Sequence, residues 1–195
     1  MRPSSPRREP LINPEYRQAS AHMMNRQYPI PFRWVAKEEL LQRVRKGVCE
    51  FMILCANLEV DHEHPPPATD ARTPAVTAMI AFDGDYLGVV WVQCSEPLAA
   101  RIAAGMLGAR PAGIEDGVRE ALGAMINILG GDVKLFLCRG GCNVDLSQPW
   151  VSLPDGSGHP EFVSDPESMR CSFRYGSERL LVGLTVRKAL EALPS

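Results

Sequence analysis

Apolar and polar positions divide the chain into stretches of two different periods. From Lys37 the apolar residues Leu40, Leu41, Val44, Val48, Phe51, Met52 and Cys55 recur at steps of three and four, with Glu38, Glu39, Arg43, Arg45 and Lys46 on the other side. That spacing turns one stripe toward a core and predicts a helix over 37–56. A strand is expected at 58–61. A loop is expected over 62–73, where Pro65, Pro66 and Pro67 bar regular backbone hydrogen bonding. Two apolar runs follow, at 75–82 and 86–93, joined by Asp83-Gly84-Asp85. Glycine accepts the positive φ of a tight turn, so the pair reads as a β-hairpin.

Ser95 then caps a helix that tolerates Pro97, because first-turn amides have no helical partner. Leu98, Ile102 and Met106 share one face, and Gly108 ends the helix. A second helix starts near Ile114 and passes Asn127, with continuation to Leu137 beyond the Gly130-Gly131 pair. Strands are expected at 143–146, 161–163, 170–175 and 180–186, and a short helix at 188–193. A helix, a hairpin, two helices and then more strands make an α+β domain, with helices packed on a mainly antiparallel sheet. The two halves show no internal repeat.

The opening segment departs from both periods. Residues 1–36 hold Pro3, Pro6, Pro10 and Pro14, then Pro29-Ile30-Pro31, and carry Arg2, Arg7, Arg8, Arg17 and Arg26. Such composition reads as a disordered, solvated N-terminal tail rather than a nucleic-acid arm. The domain is therefore expected to occupy 37–195. With 45% hydrophobic and 23% charged residues, the chain has the balance of a globular protein able to bury one core. A formal net charge of -2 provides no global attraction to nucleic acid or anionic lipid. The longest apolar stretch, around 48–56, is interrupted by Glu50 and is too short to span a bilayer, and no secretory signal is visible. The expected location is the cytoplasm.

The cysteines Cys49, Cys55, Cys94, Cys138, Cys142 and Cys171 are scattered, and in a reducing compartment such residues serve as small buried hydrophobes. Cys138 and Cys142 form the one close spacing, and His62 and His64 a second small cluster. Neither supplies the four matched ligands of a zinc site, so no metal is expected.

The segment with the most to say is 115–134. Projected at 100° per residue, Ile114, Val118, Ala121, Leu122, Met125, Ile128 and Leu129 form the expected core stripe. Asp116, Glu120, Gly123, Ala124, Asn127, Gly131 and Lys134 fall opposite. A glycine inside a helix costs about 0.5–1 kcal/mol relative to alanine. Gly123 and Gly131 therefore require either tight packing within the fold, which is the commoner cause, or close approach by a partner. A mid-helix asparagine is ordinarily a tolerated polar residue. Spacing alone assigns no function.

Residues 120–134, from Glu120 through Asn127 to Lys134, resemble the signature helix of the CheC/CheX/FliY chemotaxis phosphatases, with the single-motif CheX type nearest. That pattern has an acidic or serine residue, then a glutamate, an asparagine three residues on, and a proline some twenty residues later. Glu120, Asn127 and Pro149 match it, whereas Ala124 stands at the glutamate position. Residues 40–60, 78–90 and 143–149 resemble the family's first helix, central hairpin and proline-bearing strand, so the resemblance spans roughly 37–188.

The resemblance implies a CheX-like fold and action on the aspartyl phosphate of a CheY-type response-regulator receiver domain in two-component signalling. The phosphate and its Mg²⁺ belong to that receiver, so no cofactor is expected in this chain. Asn127 is implied as the residue whose amide orients the attacking water, which is catalysis by positioning. The family glutamate pairs with a receiver lysine, and Ala124 cannot. Loss of a charge-assisted contact at a desolvated interface costs about 2–5 kcal/mol. Glu120, one turn earlier and about 6 Å along the axis, is the candidate substitute anchor. The partner-binding face is expected to comprise Asp116, Gly123, Ala124, Gly131 and Lys134. Three readings follow: a catalytically weak or inactive receiver-binding module, an active phosphatase, and a purely structural dimeric domain. The resemblance also implies a homodimer joined at sheet edges, with the strand at 180–186 as the candidate edge.

Overall fold

The apolar stripe of the first helix is buried as its spacing requires: Leu40, Val44, Val48, Phe51 and Met52 are almost wholly inaccessible along α1 (Trp34–Leu54). The computed structural model describes residues 34–64, 75–108, 114–154, 163 and 165–189. α1 starts at Trp34, ahead of the expected position 37. Asn57 closes its C-terminal turn in the left-handed region at φ 52, with Leu58 N donating to Met52 O at 2.8 Å. The expected tail lies outside the described residues up to that start.

The hairpin forms as the Asp-Gly turn predicts. β2 (Val76–Gly84) and β3 (Tyr86–Cys94) pair antiparallel from Val76↔Cys94 to Phe82↔Gly88, with Gly84 at φ +128. α2 (Glu96–Leu107) is capped by Ser95, whose side chain accepts from Leu98 N, and ends on left-handed Gly108. α3 (Ile114–Leu137) runs unbroken through Gly130 and Gly131. β4 (Val144–Leu146), β5 (Trp150–Ser152), β6 (Met169–Tyr175) and β7 (Glu178–Lys188) complete the order, together with β1 (Asp61–Glu63) after α1.

The strands form one seven-stranded sheet in the order β1-β6-β7-β3-β2-β4, with β5 sharing the outer side of β2 with β4. Every pairing is antiparallel. The three described helices lie on one face, where Ala78, Ile80, Val90, Val92, Val182 and Leu184 point into the main core. On the other face Met79, Ala81, Val89, Trp91 and Val163 make a smaller cluster. Asp165 is held over that face by Arg170, which donates to its carbonyl at 2.9 Å, and by Arg187 at 3.6 Å from its carboxylate. No described helix is long and apolar enough to cross a membrane.

Several expectations change. The strand after α1 shares only Asp61 with the expected 58–61 and runs on to Glu63, into the expected loop. Its polar residues join the sheet through distant partners: Glu63 accepts from Ser172 and Arg179 at 3.0 Å, and His62 sits edge-on to Phe173 at 5.6 Å. β5 went unpredicted because three residues are too few to show alternation. Val163 is not in a strand, and 161–162 lie outside the described residues. Lys188 ends β7 rather than opening a helix, and 190–193 again lie outside. β7 is bonded to β3 on one side and β6 on the other, so it cannot be a dimer edge. Among the described residues the outer edges of the sheet are β1 and the β4–β5 side of β2.

Candidate functional site

α3 begins with Glu115 and Asp116, whose charge suits the positive end of the helix dipole, and has Lys134 in its last turn. It is buried in two directions. Val118, Ala121, Leu122, Met125, Leu129 and Val133 are inaccessible, and so is Ile126, which the projection left out of the stripe. Ile128, projected as core, is 45% exposed. The helix packs against α1 and the sheet at once, which swings the buried arc toward Ile126 and leaves Ile128 outside.

The opposite face carries every residue singled out from the sequence. Asp116, Glu120 and Asn127 are exposed, and Gly123, Ala124, Gly131 and Lys134 are half-buried. Ala124 and Asn127 are three residues apart, and Glu120 is one turn before Ala124, so these groups form a contiguous strip. Asp116 is a further turn away. Asp116 and Glu120 make no ion pair among the described residues, whereas Lys134 lies 3.8 Å from the Asp145 carboxylate.

The glycines of this helix divide by what surrounds them. A methyl group at Gly130 would meet Ile80 Cγ2 at 2.7 Å, so internal packing explains that glycine. At Gly131 it would meet nothing within 4 Å, and at Gly123 only Val151 Cγ2 at 4.0 Å, an ordinary contact. Among the described residues the fold does not demand glycine at 123 or 131. Both flank Asn127 and leave its surroundings low and open.

The β4–β5 segment runs along one side of this strip. Arg119 Nη1 donates to the Val151 carbonyl at 2.7 Å near the start of the helix, and Lys134 reaches Asp145 near its end. Between these anchors, Ser147 N donates to Ala81 O at 2.9 Å, and the Ser147 hydroxyl accepts from Ala81 N at 3.0 Å. Pro149, which matched the sequence motif, follows in the half-buried link before β5. Sequence reasoning passed over Arg119, and nothing local marks it, since its acceptor is a main-chain carbonyl 32 residues away. It also passed over Leu135, which is 67% exposed and seven residues beyond Ile128 on the same side.

Chemically, the strip offers an exposed amide that donates and accepts hydrogen bonds without titrating, with the Glu120 carboxylate two turns before it and the Lys134 ammonium two turns after it. Cys138 and Cys142 are free, half-buried thiols beyond the end of α3. His62 and His64 stack with ring centroids 6.3 Å apart at β1.

The family model described as "Chemotaxis phosphatase CheX" matches residues 76–161. No curated protein matches the chain. Among solved structures, a CheX chemotaxis protein from Desulfovibrio desulfuricans is 18% identical with a TM-score of 0.65, covering 76% of this chain and 99% of its own. CheX from Vibrio vulnificus is 22% identical with a TM-score of 0.63, covering 76% and 99%. The CheX of a CheX–CheY–BeF3–Mg complex from Borrelia burgdorferi is 13% identical with a TM-score of 0.63, covering 76% and 98%.

Proposed function

We propose that this chain, whose residues 76–161 match the CheX family model and whose fold is that of CheX structures, docks a phosphorylated CheY-type receiver domain on α3, with weak or no phosphatase activity. One observation carries the reading: Asn127 stands exposed between Gly123 and Gly131, and no described residue fills the space at Gly131. A bare glycine surface costs helix stability, and a backbone approaching from outside recovers that cost. The Borrelia relative crystallised with CheY supports a receiver as the occupant.

Ala124 sets the expected level of activity. The face holds an amide able to orient water beside a receiver's phosphoaspartate, but no carboxylate at 124 to pair with a receiver lysine. The metal and the phosphoryl group are part of the receiver substrate. This chain supplies shape and the Asn127 amide. Orientation without firm docking lowers the fraction of encounters in which water is placed in line.

A second reading is favoured by Glu120, which is exposed and without an ion pair among the described residues, one turn from Ala124. In that case Glu120 anchors the receiver and Asn127 remains catalytic. Mixing the protein with its phosphorylated receiver and following phosphate loss separates the two. Acceleration abolished by Asn127→Ala establishes the phosphatase. Binding without acceleration establishes the docking module. If the protein also dimerises through a sheet edge, β1 or the β4–β5 side provides it, and light scattering gives the mass.

A further inference from the structure

Arg119, Gly123, Asn127 and Gly131 follow one another at steps of four along α3, so they make one ridge on its surface. Arg119 opens that ridge. It is exposed, yet its Nη1 donates to the Val151 carbonyl at 2.7 Å, a short bond assisted by the guanidinium charge.

β5 depends on that bond more than a longer strand would. Its only strand partner among the described residues is β2, through Thr77↔Ser152, Ala78↔Val151 and Met79↔Trp150. Its residues are all half-buried, and Pro149 just before it has no N–H to extend the ladder. Farther back, Ser147 pins the segment to Ala81, and the Lys134–Asp145 pair at 3.8 Å is exposed and contributes little. Arg119 therefore ties the β5 end of the segment to α3.

The spacing of the two contacts leaves little slack. Arg119 and Lys134 are about 22 Å apart along the helix axis, and the chain from Asp145 to Val151 reaches about 20 Å when extended. The segment thus runs beside α3 in the opposite direction, and Gln148, midway between the contacts, passes near the level of Asn127. Val151 borders the bare part of the ridge, with its Cγ2 4.0 Å from where a methyl group at Gly123 would stand. Released from Arg119, β5 is free to lean over Gly123, where no side chain holds it off, or to swing outward.

We propose that Arg119 is a positioning residue for partner docking: it latches β5 to α3 and so fixes the width of the groove over Gly123 and Asn127. That role rests on the receiver-docking reading, whereas the latch itself does not. The guanidinium acts through the strand and touches no partner atom.

Arg119→Met keeps an unbranched apolar stem and removes the donors. In the full chain without receiver, amide exchange at 150–152 is expected to quicken several-fold while the urea midpoint stays nearly unchanged. Affinity for a CheY-type receiver loaded with Mg²⁺ and beryllofluoride is expected to fall several-fold, and by the same factor at about 1 M salt, where the Debye length is about 3 Å. Arg119→Lys, a cationic donor of nearly the same reach, should restore slow exchange and affinity together. Unchanged exchange in Arg119→Met overturns the latch. Quicker exchange with undiminished affinity overturns the positioning role. Affinity loss that disappears in high salt, or that Lys repairs without slowing exchange, means that Arg119 meets the partner directly and also overturns it. A natural chain that binds no receiver removes the docking reading and this role with it, and leaves the latch to the exchange result.

Discussion

Gly130 lies against Ile80: a methyl group added at Gly130 would come within 2.7 Å of Ile80 Cγ2, while one added at the adjacent Gly131 would meet nothing within 4 Å. Ile80 is wholly buried and branched at Cβ, so it cannot easily yield. Gly130→Ala is expected to destabilise the domain by about 1–3 kcal/mol, the usual cost of overpacking. Gly131→Ala is expected to stabilise it by up to about 1 kcal/mol through helix propensity, while weakening partner docking. Urea unfolding of the two variants, combined with a binding titration, checks both.

Ala124→Glu restores the carboxylate that the motif lacks. The site is half-buried and outward-facing, so the change in folding stability should stay within about 0.5 kcal/mol. Affinity for a receiver carrying a basic residue at the contact should rise at least about tenfold, the low end of what such a pair is worth. Glu120→Gln should weaken binding in the natural chain and matter little beside Glu at 124. Calorimetric titration of the four proteins reads this directly. Equal affinities with and without the new carboxylate would sink the anchoring argument.

Acid should loosen β1 before the rest of the sheet. The His62 pKa lies below its ordinary 6.5, from partial burial, then the Arg45 charge, then His64. For Glu63, burial pulls upward but is outweighed by hydrogen bonds from Arg179 and Ser172 and the charges of Arg179 and Arg174, so its pKa lies below 4.5. Both groups bind protons more readily when β1 is detached. The contribution of His62 is present above about 6.5 and is lost as pH falls through its lowered value. That of Glu63 is present above about 4.5 and is lost at still lower pH. Amide exchange at 61–63 should therefore accelerate in two steps on acidification, and Glu63→Gln should remove the lower one.

Thiol reactivity should divide by burial. Cys94 and Cys171 are buried, and burial pushes each thiol to about 12, helped at Cys94 by Glu178 and opposed at Cys171 by Arg45. The reactive form is the thiolate, so both should escape alkylation at pH 8 in the folded protein and react on unfolding. Mass-spectrometric mapping after iodoacetamide treatment checks this. Early labelling of Cys171 would show that β6 opens.

The sequence by itself determined what depends on neighbours along the chain. The stripe of α1, the Gly84 turn, the Ser95 cap, the α+β order and the motif that unites Asn127 with Ala124 were all legible. Each is set by backbone geometry or spacing within a few residues. Only the tertiary structure decided what depends on atoms brought together from afar. β1 and β5 are strands because β6 and β2 supply their ladders, and β7 is internal because β3 and β6 claim both its edges. Ile126 is buried in place of Ile128 because α3 meets α1 and the sheet together. Gly130 is filled by Ile80, 50 residues away in sequence, while nothing among the described residues fills the space at Gly131, so packing accounts for one glycine and not for the other. A period of 3.6 residues tells which positions share a side of a helix. It does not tell what stands opposite them.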